Sequence, residues 1–176
     1  IPMNLFVLDE SPTVSAHHHC DKHVVKMTIE VAQMICVAMQ FRGLTYKKYP
    51  TEQIEWDIGT VGYRKTHVNH PATIWVRQTD ENLLWTWTHF EALCDEFQKR
   101  YNKVHMTARK LRHMATYAPI PFTADFTKHT PFAQCMPEKY KLSNDAVAAY
   151  RNYYIHEKKF VVWSQTAQPE WYKTTI

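Results

Sequence analysis

The chain has 176 residues and a formal net charge of +4, with 21 Lys and Arg against 17 Asp and Glu, and 11 His besides. That length suits one domain with a substantial core, and the mild basic excess permits a nucleic-acid partner without requiring one. Three glycines argue against a Gly-rich phosphate loop, and no P-loop, dinucleotide fingerprint or G-x-S-x-G elbow occurs.

No run of about 18 apolar residues exists, so no membrane span is expected, and no secretory leader pattern precedes the fold. Cys20, Cys36, Cys94 and Cys135 are dispersed with no C-x-x-C. They read as reduced thiols of a cytoplasmic protein, or of the host cytoplasm if the source is viral. Met3 reads as the natural start, with Ile1 and Pro2 as a cloning remnant.

In chain order, residues 4–8 (NLFVL) form an apolar run too short to classify. Ser11-Pro12 fits an N-cap followed by proline in the first turn, opening a short helix over 13–19. Residues 20–43 (CDKHVVKMTIEVAQMICVAMQFRG) read as one long helix. Asp21 suits its positive end and Gly43 a left-handed stop. Val24, Val25, Ile29, Ala32, Ile35, Cys36 and Met39 give an apolar stripe, with Lys22, Lys26, Glu30 and Gln33 off it. Residues 44–63 show no sustained period and read as a long surface loop, a place for function or a short element.

His70-Pro71 punctuates the chain, with a helical piece over 72–77. Thr79 caps a helix running to about Tyr101, with Leu84, Trp87, Phe90, Leu93, Cys94 and Phe97 in register. A short basic helix is expected over 107–116. Residues 117–142 contain Pro119, Pro121, Pro131 and Pro137 and should be irregular. Ser143 caps a last helix over 145–163, with Ala146, Ala149, Tyr150, Tyr153 and Phe160 as its inner face. The expected fold is all-α, a compact single domain of four to five helices with long irregular connections, and a monomer.

Lys26 and Glu30 lie four residues apart and share a helix face. They make either an ordinary surface ion pair or an acid positioned for chemistry in a basic groove. His17, His18, His19, Cys20 and His23 invite a metal reading, since His19 and His23 have i, i+4 spacing. No H-E-x-x-H and no second ligand pair accompany them. Basic and aromatic residues interleave at 63–67, 109–113 and 171–173, where cations would meet phosphates and rings would stack on bases.

Three motifs carry a family resemblance: Glu30-Val31-Ala32-Gln33, Asn69-His70-Pro71, and the stretch CDEFQKRYN at 94–102. The opening Met3-Asn4-Leu5 and the closing Pro169-Glu170-Trp171-Tyr172-Lys173 add to it. The sequence resembles the pyrimidine-dimer DNA glycosylases, the bacteriophage endonuclease V group and their bacterial relatives. The resemblance implies a repair glycosylase with AP lyase activity on damaged double-stranded DNA. An α-amine attacks C1′ and forms an imine, and β-elimination then cuts the strand. Neither metal nor organic cofactor is implied.

Glu30 takes the role of the carboxylate that stabilises charge at C1′. The phage enzymes expose a threonine amine after losing methionine. Here Asn4 follows Met3, which leaves the Met3 amine, Lys26 or Lys22 as the nucleophile. The expected DNA-facing set is Lys22, His23, Arg64, Lys65, His67, Asn69, His70, Arg109, Lys110, Arg112, Trp171, Tyr172 and Lys173. Two other classes stay open: a non-catalytic nucleic-acid-binding or base-modifying protein, and a metal-dependent hydrolase built on residues 17–23.

Overall fold

The computed structural model describes residues 3–43, 45–48, 54–57, 63–112, 123–159 and 161–173. Among them six helices form: α1 Pro12–His18, α2 Asp21–Phe41, α3 Pro71–Gln78, α4 Asp80–Tyr101, α5 Met106–Leu111 and α6 Ala146–Glu157. The core is helical, as expected, with one helix beyond the expected range. The stretch read as a surface loop contains an antiparallel hairpin, β1 Thr45–Lys48 against β2 Ile54–Asp57. Ile54-Glu55-Trp56-Asp57 does alternate apolar and polar, but four residues are too few for that period to declare itself.

Local capping chemistry sets the helix starts. Ser11 accepts from the Val14 amide at 3.3 Å, Thr79 from Asn82 at 3.0 Å and Asp145 from Ala148 at 3.1 Å. Each such cap contributes about 1 kcal/mol. Asp145, not Ser143, caps the last helix. Asn144 turns the chain through a left-handed conformation (φ 62°) and delivers the next residue to the cap position. That helix stops at Glu157, and Phe160 lies outside the described residues. So does the end of the basic helix expected over 107–116, with His113.

α2 is the central element and packs against α3, α4 and α5, while α1 packs on α4. Residues 34–39 of α2 are buried on every side, whereas Val25 and Ile29 sit at its margin. α2 is long and apolar enough to cross a bilayer by composition, but most of it is covered by the rest of the chain, as in a core helix. It ends at Arg42, and Gly43 adopts φ +76°, the left-handed cap that a residue without Cβ takes at no steric cost.

Residues 3–8 form no regular element and are buried in the hydrophobic core. The junctions are tied by one buried guanidinium. Arg100 of α4 donates to Glu96 at 3.0 Å, Asp21 at 3.1 Å, and the carbonyls of His19 and His17 at 2.6 and 3.0 Å. It thereby pins the α1–α2 corner to α4.

Candidate active site

Glu30 lies halfway along α2, and its side chain is only 8% exposed. Burial of a carboxylate disfavours its charged form. The Glu30 pKa is accordingly raised, with Lys26, the backbone amide of Asn4 and His67 acting in the opposite sense. The Lys26 ammonium stands 3.9 Å from Oε1 and is 61% exposed. A pair so wet is worth at most about 1 kcal/mol, which is why desolvation prevails.

The carboxylate opens into a cavity of about 420 Å³, within the roughly 300–1,000 Å³ of small-molecule sites. Asn4, Phe6, His23, Lys26, Met27, His70 and Pro71 form one side of it. Residues 134–137, Lys141, Tyr153 and Lys158 form the other. Asn4 joins the two sides: its Nδ2 donates to the Cys135 carbonyl at 2.8 Å, and its Oδ1 accepts from the Phe6 amide at 3.1 Å.

The predicted DNA-facing residues divide into four groups. Lys22, Arg64, Lys65, His67, Asn69, Arg109 and Lys173 are exposed. His70 lines the cavity and caps α3 by accepting from the Ala72 amide at 3.2 Å. The Lys110 side chain lies outside the described residues. Several of the expected DNA contacts are instead engaged within the fold.

His23 is buried in the cavity wall. Its Nδ1 accepts from the Tyr154 hydroxyl at 2.8 Å, and burial with Lys158 and Lys26 nearby lowers its pKa to about 3. It is neutral at physiological pH and supplies no positive charge. Arg112 lies between Glu91 and Asp95, the latter at 2.6 Å, so its charge is offset internally. Tyr172 is buried, with its hydroxyl on the Lys158 carbonyl at 2.8 Å, and Trp171 donates to His18 at 3.0 Å. Both dock the tail on the core and neither lines the cavity.

Met3 has a buried side chain, one residue from the Asn4 amide beside Glu30. The histidines of residues 17–23 take separate partners, although the His19 and His23 rings lie 6.2 Å apart. His17 meets Glu96 at 3.5 Å, His18 meets Trp171, and His19 bonds the Ser15 carbonyl at 2.7 Å. Among the described residues no group of three potential metal ligands forms.

A family model described as pyrimidine dimer DNA glycosylase matches residues 3–109. The chain belongs to that family. No curated protein and no solved structure gives a match. As a pyrimidine dimer DNA glycosylase by family, the protein comes from a group of enzymes whose substrate is DNA. The matched region contains Glu30, Lys26, Asn4 and His70, one side of the cavity. The other side follows residue 109.

Sequence reasoning singled out Glu30 as a lone acid in an apolar and basic helix. It did not find Asn4, Phe6, Tyr153 or Lys158 as cavity residues. Helical spacing assigns Tyr153 only to an inner face, and no local signal marks a wall assembled across 131 positions.

Proposed function

We propose that this protein is a DNA glycosylase with AP lyase activity that acts on ultraviolet pyrimidine dimers in duplex DNA. The observation that supports this most is the buried Glu30 carboxylate, opening into a cavity beside Lys26 and the first residues of the chain. Family membership supplies the substrate class.

The chemistry follows from that placement. An amine adds to C1′ of the damaged nucleotide while the bond from C1′ to the base breaks. The positive charge that develops at the sugar is stabilised by a carboxylate held in a poorly solvated site, where its field is little screened. Sugar opening gives the imine. Removal of a C2′ proton then expels the 3′ phosphate oxygen, and a carboxyl group with raised pKa is suited to moving that proton.

In a chain starting at Met3, the α-amine lies one residue from the Asn4 amide beside Glu30, closer than the roughly 3.8 Å between consecutive Cα atoms. An α-amine has a pKa of about 8 against about 10.4 for lysine, so more of it is neutral at pH 7. The Met3 amine is therefore the preferred nucleophile, with Lys26 second and Lys22 third.

Arg64, Lys65, His67 and Arg109 are the proposed phosphate contacts, being exposed cations or potential cations outside tight internal pairs. Borohydride trapping tests the reading. A chain starting at Met3 should give a covalent adduct with ultraviolet-irradiated duplex and none with undamaged duplex. Peptide mapping of the adduct then separates Met3 from Lys26. Binding to both duplexes alike, with no adduct, would favour the non-catalytic alternative.

A further inference from the structure

Phe41, the last residue of α2, is 54% exposed and meets two cations. The Lys65 ammonium stands 5.1 Å and the Arg77 guanidinium 4.3 Å from the centre of its ring. Isolated exposed apolar residues are common on proteins, but this ring is held by charge. Cation–ring contacts at an exposed site are weak, so they orient the ring and leave it accessible. Among the described residues no carboxylate lies within ion-pairing distance of Lys65 or Arg77. Asp80, at the start of α4, is taken by Arg42.

The patch is fastened to the helix that carries Glu30. Arg77 of α3 donates to the Val68 carbonyl at 2.5 Å, and Gln40 of α2 donates to the Tyr63 carbonyl at 3.2 Å. These bonds hold residues 63–70 against the end of α2. Along that segment Lys65 lies beside Phe41, His67 is near enough to Glu30 to bear on its charge, and His70 lines the cavity. Arg64, Lys65 and His67 are exposed. A track of cations and potential cations therefore joins the ring to the carboxylate.

Phe41 follows Glu30 by eleven positions on one uninterrupted helix. With about 3.6 residues per turn and about 1.5 Å rise per residue, the two share a face some 16 Å apart along the axis. One strand of a duplex rises about 3.4 Å per nucleotide, so that separation spans about five base-pair steps.

We infer that Phe41 is a wedge, its ring entering the duplex about five base-pair steps from the sugar served by Glu30 while Lys65 and Arg77 hold the flanking phosphates. This rests on the glycosylase reading, which sets the register at Glu30, and adds a second point of contact to it. Apolar side chains that enter between base steps unstack them and kink the duplex, and the bend brings more protein surface onto the DNA. A phenyl ring has no polar atom with which to read a base edge. The wedge therefore senses how readily a step unstacks and not which bases compose it.

2-Aminopurine, whose fluorescence rises when it loses its stacking neighbours, reads the wedge step by step. It is placed singly at successive steps on either side of an uncleavable abasic analogue. Each duplex is then saturated with the parent chain, Phe41→Ala or Phe41→Leu. The parent should raise fluorescence about four to six steps from the analogue, on one side. Phe41→Ala should lose that rise and reduce the bend, read by energy transfer between the duplex ends, by about 20° or more. Phe41→Leu keeps an apolar wedge, so it should retain the rise and controls for folding. Lys65→Gln should lower the salt slope of binding by about one unit.

No rise at those steps with the parent, or the same rise with Phe41→Ala, overturns the wedge. A rise lost in both Phe41 variants overturns it as well, and an unchanged salt slope in Lys65→Gln overturns the phosphate contact. A parent chain that gives the rise yet traps no borohydride adduct on irradiated duplex overturns the glycosylase reading and leaves the wedge as a DNA contact.

Discussion

The Lys26 ammonium stands 3.9 Å from Glu30 Oε1, one helical turn away, while Oε2 is buried with no hydrogen-bond partner among the described residues. The pair is thus lopsided. Its cation is wet and its acid is dry, so the carboxyl group responds more to burial than to its neighbour. A fully satisfied structural ion pair would place both oxygens on donors.

Glu30 should therefore impose an acid limb on incision. Its raised pKa means that the carboxylate is lost on acidification above the ordinary glutamate range of about 4.3. The same shift makes folding stability fall as pH rises from the unfolded value through the raised folded one. Glu30→Gln should remove that fall, which thermal melts at several pH values will show.

Three histidines predict the opposite slope. His89 is fully buried with a pKa lowered to about 4, His23 is at about 3, and His19 is held well below its ordinary value, all chiefly by desolvation. Each is neutral when folded and gains a proton when unfolded. Stability is therefore present above about pH 6.5 and is lost as pH falls toward the lowered values. His89 alone corresponds to about 3 kcal/mol. His89→Gln should flatten the dependence of Tm on pH between about 6.5 and 4.

Arg100 is the structural counterpart of the site cations. Its side chain is fully buried, and it serves two carboxylates and two carbonyls. Arg100→Ala leaves Glu96 and Asp21 short of a partner and should cost about 3–5 kcal/mol. That corresponds to a drop in Tm of roughly 10 °C for a chain of this size, measurable by calorimetry.

Among the basic residues, Arg64 and Arg112 should behave differently toward DNA. Arg64 is exposed, and Arg112 is held by Glu91 and Asp95. Arg64→Ala should reduce the salt slope of DNA binding by about one unit. Arg112→Ala should leave it nearly unchanged and lower stability instead. Titrations at several salt concentrations separate the two.

The parts of the molecule legible in sequence are those written in local chemistry. Ser11-Pro12, His70-Pro71 and Thr79 mark helix starts because their side chains bond amides two or three positions on, Asp21 suits a helix's positive end, and Gly43 marks a stop through its left-handed backbone. Glu30 stood out because an acid within an otherwise apolar and basic helix face has few uses. The cavity wall was not legible. Residues 134–137 lie in a proline-rich stretch without period, and the bond from Asn4 to Cys135 leaves no trace in either neighbourhood. The basic clusters misled in part for the same reason. Arg112 and Tyr172 read as surface residues until distant partners, Asp95 with Glu91 and the Lys158 carbonyl, claimed them.

The central claim is that Glu30 acts on the sugar and is not merely half of an ion pair. Single-turnover incision of ultraviolet-irradiated duplex by Glu30→Gln, at saturating protein and with binding measured alongside, tests it most directly. Binding within a few-fold of the parent with incision slower by about 10²–10³ is the predicted result. Incision at the parent rate by a folded, DNA-bound Glu30→Gln chain would contradict it.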